Sequence, residues 1–414
     1  MQLSHEGLEA RVRVSTYPAL TPDLLAHYLG SRTWRGRHPL PAPLGGALRT
    51  HLYFWGRGAI WSGLEIAGIG RGDTVLLPAY HCGAEIDPFV KRGVTVKFYP
   101  VGRSLLVDVD RLRALVDHRT RLLFVTHYFG FPQPMRTIVD FCRARGLFLM
   151  EDCAHALYSR ADGRDLGSFG DVSIFSVRKS LPTPGGAALV VNTPSLRLPD
   201  PTRRASRRKT LGMTKGLLAS YLIQRYGDMG RLAVRSAIEP MTRLSKSLRG
   251  PAGKAAEALD HSRHIEYEKN QGSWAMPSIA EWMLRTTDPA VVREVRRRNF
   301  MTLLGHLEGL ARTSILYDSL PEGVCPLFFP LVVDDPHPLR ERLQRHGIDA
   351  NLFWSLFHPA LPRDAFKEEV YLKEHVLGLP VHQGVTPAGL ARMAALIREH
   401  LKGPREGATV SRPC

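Results

Sequence analysis

The chain has 414 residues, of which 44% are hydrophobic and 23% are charged, as expected for a globular protein large enough for two or three domains. No apolar run is long enough to cross a bilayer, and the first twenty residues lack the apolar centre of a signal peptide. The five cysteines are scattered and form no CxxC pair, which predicts a reduced, cytoplasmic protein and argues against a structural zinc site.

The first segments in chain order are an arm and a large α/β domain. Residues 1–45 are rich in Pro, Gly and Arg and predict an N-terminal arm with little regular structure. Residues 46–285 are assigned to the large domain, in which short apolar strands alternate with helices up to about residue 192. The predicted strands are TVLLP, VTVKFYP, RLLFVTH, LFLMED, DVSIFSV and AALVVN. This alternation favours a mostly parallel sheet with helices on its faces.

A basic, helix-leaning insert interrupts this pattern at about residues 196–275. Residues 203–250 contain twelve Lys or Arg against two acids, so +10 of the formal net charge of +17 lies in this segment. The favoured interpretation is a helical insert packed on the large domain with a solvated basic face. Peripheral contact with anionic lipid or an acidic carrier is the alternative. No nucleic-acid-binding module is recognised, so nucleic acid is not an expected partner.

The C-terminal part predicts a smaller α+β domain at residues 286–403. A long amphipathic helix is expected over 287–313, followed by a strand in CPLFFPLVVDD. HPLRERLQRHG and TPAGLARMAALIREHL predict two further helices. Residues 404–414 are expected to be a disordered tail.

One lysine follows directly on an apolar strand. In GSFGDVSIFSVRKSLPTPGG, residues 167–186, DVSIFSV predicts a buried strand and LPTPGG a loop, so Lys179 lies where the strand ends, three residues after Ser176. A lysine in an apolar pocket can lose its proton and form a Schiff base with an aldehyde. Most strand-end lysines are solvated, so this fragment alone does not assign a function.

Two other features are consistent with pyridoxal phosphate as that aldehyde. Asp152 ends the buried strand LFLMED, where it could pair with a protonated ring nitrogen, although a helix N-cap would also explain it. Gly56, Arg57 and Gly58 precede an amphipathic helix, whose first N–H groups could bind a phosphate; a tight turn is the simpler alternative. The order of phosphate loop, buried Asp and Ser-x-x-Lys along the chain is typical of a fold-type-I pyridoxal-phosphate enzyme.

Longer stretches resemble the DegT/DnrJ/EryC1/StrS family of sugar aminotransferases. The resemblance covers roughly residues 45–192 and 287–402. It rests on GIGRGDTVLLPAYHC, VTHYFGFPQPM, EDCAHAL and GSFGDVSIFS in the first part, and on RRRNF, HGIDA and LGLPVHQ in the second. It implies a large cofactor-binding domain, a smaller C-terminal domain and a homodimer.

The resemblance also implies a role for each matching residue. Lys179 would bind the cofactor covalently and shuttle protons, and Asp152 would pair with the ring nitrogen. His155 would reach the phenolic oxygen of the ring. The phosphate would be held by Ser176, Gly56, Arg57 and Gly58, and the ring would stack on Tyr80 or His81. His127 is better explained as a structural group, and no metal is expected.

The sequence departs from the family pattern at two points. Lys179 follows Ser176 by three residues, whereas in most relatives the lysine follows the serine by five. The segment QGSWAMPS lacks the arginine that relatives contribute across the dimer to the partner's site. The second departure bears on a nucleotide-sugar substrate and leaves the cofactor unaffected.

The expected function is therefore a pyridoxal-phosphate-dependent aminotransferase. It would move an amino group from Glu or Gln to a keto group on a sugar, possibly nucleotide-linked, or on a cyclitol, in polysaccharide or natural-product biosynthesis. Two alternatives stay open. One is another pyridoxal-phosphate reaction on a small amino acid, and the other is a non-catalytic regulatory or binding scaffold. A scaffold would not need Lys179, Asp152 and Ser176 together.

Overall fold

A seven-stranded sheet with helices on both faces forms the larger part of the molecule. The structure is a computed structural model that describes residues 13–31, 38–197, 200–201, 203–238, 273–310 and 315–402. The strand order is β1-β9-β8-β5-β4-β2-β3. Its strands are β1 (Arg49–Tyr53), β2 (Thr74–Pro78), β3 (Thr95–Tyr99), β4 (Thr120–Thr126), β5 (Phe148–Asp152), β8 (Val172–Ser176) and β9 (Ala187–Val191). The strands from β8 to β3 are parallel, and β9 pairs antiparallel with both β8 and β1.

Helices connect these strands and cover the sheet, and a two-stranded ribbon of β6 (Arg160–Ala161) and β7 (Arg164–Asp165) lies between β5 and β8 in the chain. The helices are α2 (Gly56–Ile66), α3 (Asp87–Arg92), α4 (Val109–Arg113), α5 (Met135–Arg145) and α6 (Val177–Ser180). Strands β2, β5, β8 and β9 lie between neighbours on both sides, and all but the first residue of β5 are buried. This explains why their sequences are apolar throughout.

A second, smaller unit follows in the chain. A three-stranded antiparallel sheet has the order β10-β12-β11, with β10 (Phe328–Val332), β11 (Asn351–Leu352) and β12 (Val376–Pro380). Its helices are α9 (Pro289–His306), α10 (Pro336–Arg345), α11 (Lys367–His375) and α12 (Pro387–Lys402). The preceding helix α8 (Ser278–Thr286) packs on the large sheet, because Ala280 and Leu284 belong to the same buried cluster as Phe175 and Val190. One hydrophobic core joins this unit to the larger one, because Phe328 and Leu377 belong to the same buried cluster as Leu76 and Val125.

The N-terminal arm is more regular than its composition predicts, because it contains helix α1 (Pro22–Gly30). Thr21 caps this helix by accepting from Leu24 N at 3.2 Å, and Pro22 occupies the first position, where a missing N–H is harmless. Upstream, Val14 N donates to Gly347 O at 2.8 Å and Asp349 N donates to Val14 O at 2.8 Å. The arm therefore joins the edge of the small unit.

The described part of the insert is helix α7 (Arg207–Ala233), interrupted at Gly227. Leu217 and Leu218 pack, together with residues of α1, against a buried cluster that includes Trp282 of α8. Leu211, Tyr226, Met229 and Leu232 are exposed on the same helix. Packing of α7 through one side agrees with the favoured interpretation of the insert, and residues 239–272 lie outside the described part.

We expect the protein to stay in the supernatant when it is sedimented with anionic vesicles at about 0.1 M salt, where screening already acts over about 10 Å. The physical reason is that the helix of the insert uses part of its apolar surface within the molecule. Salt-sensitive sedimentation would contradict this prediction if charge reversal at Arg203, Arg204, Arg207 and Arg208 abolished it.

No helix among the described residues is long and apolar enough to span a membrane. The predicted tail at 404–414, the first twelve residues of the arm and part of the insert lie outside the described residues. The boundaries proposed for the domains, at residues 46, 286 and 404, remain predictions.

Candidate active site

The site residues predicted from distant parts of the sequence meet at one edge of the large sheet. The register places Tyr53 opposite Ala187, and Ala187 opposite Ser176, so β1 and β8 end at the same level. Asp152 ends the neighbouring parallel strand β5. Parallel strands end at the same sheet edge, where α/β proteins commonly bind ligands. Gly56 follows Tyr53 by three residues and therefore begins α2 at that edge as well.

Lys179 lies on the one-turn helix α6, directly after β8, and is half-buried. The following glycine pair attaches this turn to the start of α2, since Val177 N donates to Gly186 O at 3.0 Å and Gly186 N donates to Phe54 O at 2.9 Å. Gly185 has φ +93°, and a Cβ there would lie 2.8 Å from the Phe54 ring. The glycines after the lysine thus permit a close approach to the segment that precedes Gly56.

Asp152 is buried, 6% exposed, and pairs with no cationic side chain within 4 Å among the described residues. Its Oδ1 accepts from Ala154 N at 2.9 Å, which closes a turn rather than capping a helix. Burial, with a contribution from the nearby Glu85 carboxylate, raises the pKa of Asp152 to about 6, and the Lys179 charge opposes that shift. Asp152 and Lys179 are therefore electrostatic neighbours, and the carboxylate lacks a counter-ion in contact.

His155 is buried beside these two residues. Its Nδ1 accepts from Phe129 N at 3.3 Å, so the ring proton is assigned to Nε2, which has no partner among the described atoms. Burial and, secondarily, the Lys179 charge lower the pKa of His155 well below its usual value. The Trp354 ring lies 5.1 Å from the imidazole ring. A neutral imidazole with a free N–H is thus available to a ligand with an acceptor oxygen.

The predicted phosphate loop forms the first turn of α2. Gly58 N donates to Trp55 O at 3.1 Å, and a Cβ on Gly56 would meet nothing within 4 Å, so the start of the helix is open. The Arg57 guanidinium lies 3.7 Å from Asp87, and Asp87 lies 3.4 Å from His358. Arg57 is therefore held by an acidic partner and is less free to bind a phosphate than the sequence predicted.

The two candidates for ring stacking have different surroundings. Tyr80 is fully buried, its hydroxyl donates to Phe353 O at 3.3 Å, and its ring lies 4.9 Å from that of Trp354. His81 stacks on Phe98 at 5.5 Å, and its Nδ1 accepts from Gly83 N at 3.0 Å. Both side chains have partners within the protein, so the choice of stacking residue stays a prediction.

Sequence reasoning did not find a cluster of polar side chains beside the site, formed by Cys82, Glu85 and Lys373. Cys82 N donates to Glu85 Oε1 at 2.9 Å, and the Cys82 thiol is in close contact with the other carboxylate oxygen. Lys373, fully buried on α11, donates from Nζ to His81 O at 2.6 Å. The sequence YLKEH around Lys373 is typical of an exposed helix face and contains no signal for this contact.

The buried Lys373 predicts a rise in stability at alkaline pH. Burial lowers the pKa of Lys373 to about 8, whereas the unfolded chain keeps this proton to about pH 10.4. Between these values the unfolded state binds more protons, so the free energy of unfolding increases with pH, by about 3 kcal/mol in total. Urea unfolding of the wild type and of Lys373→Met at about pH 7.5 and 10 measures the difference. An equal pH dependence of the two proteins would contradict the prediction.

Glu151 fixes the loop that leads into β8. Its Oε1 accepts from Phe169 N at 2.8 Å and from Gly170 N at 2.6 Å, and its Oε2 accepts from Gly167 N at 3.1 Å and from His127 Nε2 at 3.0 Å. The GSFG segment and His127 thus form a structural support, as expected for His127. Cys153 lies close to this pair, but the carboxylate oxygens are already occupied by N–H donors, and we propose no metal site here.

Comparisons with known proteins agree with this geometry. The model of the DegT/DnrJ/EryC1/StrS aminotransferase family matches residues 56–199. A dTDP-3-amino-3,4,6-trideoxy-alpha-D-glucose transaminase from Micromonospora megalomicea subsp. nigra is 31% identical over 316 residues, which cover 70% of this chain and 81% of the relative. The chain belongs to the DegT/DnrJ/EryC1/StrS aminotransferase family. The resemblance inferred from the motifs is thereby confirmed.

Other relatives match more locally or only in fold. GDP-perosamine synthase from Vibrio cholerae is 30% identical over 138 residues, and the match spans only 38% of that relative. The structure of S. venezuelae DesV in complex with a ketimine intermediate superposes with a TM-score of 0.63 at 19% identity, covering 95% of this chain and 99% of that one. The fold class predicted from strand and helix alternation is confirmed.

The site residues fit pyridoxal phosphate, the cofactor that the family implies. Asp152 is a buried carboxylate without a cation in contact, and a protonated ring nitrogen would supply one. The unpartnered Nε2 of His155 can donate to a phenolic oxygen. The ammonium of Lys179 has no acceptor among the described residues, and the open start of α2 offers N–H groups to a phosphate.

Proposed function

We propose that this protein is a pyridoxal-phosphate-dependent aminotransferase that converts a keto sugar into an amino sugar. The observation that carries the proposal is the position of Lys179 beside the buried, unpaired Asp152 at the sheet edge where α2 begins. In one bound cofactor molecule, Lys179 would meet the aldehyde, Asp152 the ring nitrogen and the start of α2 the phosphate. Family membership supports the same activity.

When bound, pyridoxal phosphate supplies an electron sink and carries the amino group between the two substrates. Lys179 Nζ would accept and return the proton at the substrate carbon that loses or gains the amino group. The Asp152 carboxylate would keep the ring nitrogen protonated, and His155 Nε2 would donate to the phenolic oxygen. Ser176 and the first turn of α2 would hold the phosphate. In total, an amino acid and a keto sugar give a keto acid and an amino sugar.

The substrate class is proposed from the names of two relatives, a dTDP-sugar transaminase and GDP-perosamine synthase. Glu or Gln is the proposed amino donor, as the family resemblance implies. A nucleotide-linked keto sugar is the first candidate acceptor, and a free sugar or a cyclitol is the second. We also propose an isologous homodimer, because fold-type-I sites are usually built at a two-fold interface.

The test is amino transfer from labelled donor to candidate acceptors. Purified holoenzyme is incubated with α-¹⁵N-glutamate or α-¹⁵N-glutamine and with nucleotide-linked keto sugars, free keto sugars or keto cyclitols, and products are analysed by mass spectrometry. A ¹⁵N-amino sugar supports the proposal and identifies the donor. Loss of the α-amino group from small amino acids, with no transfer to any carbohydrate, would favour another pyridoxal-phosphate reaction. Absence of bound cofactor would favour a non-catalytic scaffold.

A further inference from the structure

The backbone carbonyl of Ser180, the residue after Lys179, is bound by two side chains of the small unit. Arg296 Nη2 donates to Ser180 O at 3.2 Å, and Gln383 Nε2 donates to the same oxygen at 3.0 Å. Arg296 lies on α9, and Gln383 follows β12. The small unit therefore contacts the turn that carries the lysine directly, through hydrogen bonds to its last residue.

The two side chains also bind each other. Arg296 Nε donates to Gln383 Oε1 at 3.2 Å, and Arg296 Nη1 donates to Pro326 O at 3.2 Å and to Leu327 O at 3.1 Å. All three nitrogens of the guanidinium thus donate hydrogen bonds, to four neutral acceptors in total, and these bonds fix its orientation. Rotation of either side chain would break hydrogen bonds of both, so we treat Arg296 and Gln383 as one structural pair.

A buried arginine is unusual at a position where a side chain serves only packing. Arg296 is 1% exposed, and no carboxylate among the described residues forms an ion pair with it. Burying a charge without a counter-ion is costly, and an apolar residue of similar volume often serves packing at no loss of stability. The presence of an arginine at this position is explained if the directed hydrogen bonds themselves are needed.

Few hydrogen bonds within helix α6 itself restrain the turn around Lys179, in addition to the bond from Val177 N to Gly186 O. Helix α6 has four residues, closed by Leu181 N donating to Val177 O at 2.9 Å. The carbonyls at the end of a helix have no partner within the helix, so the Ser180 carbonyl needs an external donor. Bonds to this carbonyl restrict the backbone orientation at the residue adjoining Lys179, and thereby the direction of its side chain.

We infer that Arg296 and Gln383 are positioning residues that fix the reactive direction of Lys179 through the Ser180 carbonyl. The inference rests on the proposed function, because it assigns the pair a role in proton transfer by that lysine. A misplacement of about 1 Å in a reacting group can lower a rate about 100-fold. The pair should therefore influence kcat and the protonation of the lysine-bound cofactor more than substrate binding.

The neighbouring Arg297 offers a matched control on the same helix. It too donates to backbone carbonyls, with Nη1 at 2.6 Å from Pro321 O and 3.0 Å from Val324 O. These acceptors belong to the small unit and do not adjoin the lysine turn. Arg297→Met removes a comparable set of hydrogen bonds and leaves the Ser180 carbonyl unchanged.

The experiment compares Gln383→Leu, Arg296→Met and Arg297→Met with the wild type. In the holoenzyme, the pH midpoint of the lysine-bound cofactor's absorbance is titrated, and kcat and KM for the amino donor are measured. We expect Gln383→Leu to shift the midpoint and to lower kcat about 10- to 100-fold with KM changed less than about threefold. Arg297→Met should keep the wild-type midpoint and kcat.

A measurement on the cofactor-free protein tests this inference separately from the proposed function. Hydrogen exchange of the amides at 177–183 in the cofactor-free protein should be faster in Gln383→Leu than in the wild type and in Arg297→Met. If Arg296→Met does not fold, the test is made with Gln383→Leu alone. Wild-type exchange, midpoint and kcat in Gln383→Leu would overturn the inference while the proposed function stands. A wild type without lysine-bound cofactor would overturn the proposed function, and the inferred role in proton transfer with it, whatever the exchange shows.

Discussion

Lys179→Ala is expected to bind pyridoxal phosphate without a covalent bond and to lose amino transfer by a factor of at least about 10³. The amine is the group at this sheet edge that can both attack an aldehyde and move a proton, and its ammonium has no acceptor among the described residues. The other contacts to the cofactor, through α2 and Asp152, are unchanged by this substitution.

Borohydride reduction followed by peptide mass spectrometry measures the effect. In the wild type, the reduced cofactor should be found on the peptide that contains Lys179, and in Lys179→Ala no peptide should carry it. Lys97→Ala is the control, because Lys97 lies on the outer strand β3 and pairs with Asp117 at 2.8 Å. Labelling of another lysine in the wild type would show that Lys179 is not the cofactor-binding residue.

Asp152→Asn is expected to have opposite effects on activity and on stability. Without the carboxylate, the ring nitrogen loses its counter-charge, and amino transfer should fall by a factor of at least about 10². Without cofactor, the pKa of Asp152 is raised by burial to about 6 from 3.8, so its ionised form is disfavoured in the folded protein. Above pH 6 this costs about 3 kcal/mol of stability, and a neutral amide avoids that cost.

The sign of the pH dependence follows from the raised pKa. Between about pH 4 and 6 the folded cofactor-free protein holds the Asp152 proton more tightly than the unfolded chain, so the wild type loses stability as pH rises through this range. The stability difference between Asp152→Asn and the wild type should therefore be present at pH 7 and vanish near pH 4. Urea unfolding of both cofactor-free proteins measures it. A less stable Asp152→Asn at pH 7 would mean that the carboxylate has a cationic partner in the folded chain.

Most strands of the large sheet could be predicted because each is a local signal. TVLLP coincides with β2, LFLMED begins one residue before β5, and DVSIFSV extends beyond β8 by one residue at each end. Strand β1 was missed because Arg49–Tyr53 has little apolar pattern of its own, and it is a strand because β9 pairs with it. The long helix expected over 287–313 ends at His306, where Leu307 closes its last turn.

The residues of the candidate site also divide into those that the local sequence predicts and those that it does not. Asp152 ends a strand, Gly56 begins a helix and Lys179 lies three residues after the end of β8, and the sequence shows such ends. Arg296 acts through contacts with segments far away in the chain, and Glu85 acts electrostatically on Asp152, 67 residues further along. The sequence neighbours of these two residues give no indication of either interaction. For Arg57 the local sequence was misleading. Its position before a helix predicts a phosphate ligand, but the sequence gives no sign of the ion pair with Asp87 that holds its guanidinium.

The attachment of the N-terminal arm to the small unit has a consequence for biosynthesis. His382 Nε2 lies 2.8 Å from the backbone oxygen of Ser15, although 367 residues separate them, and Val14 pairs with Ile348. A ribosome adds about 5 to 20 residues per second, so Ser15 emerges roughly 20 to 70 s before its partner is made. During that interval Val14 and Ser15 cannot form these contacts. Nascent chains stalled before residue 348 should therefore expose Val14 and Tyr17 to proteases, and released full-length chains should protect them.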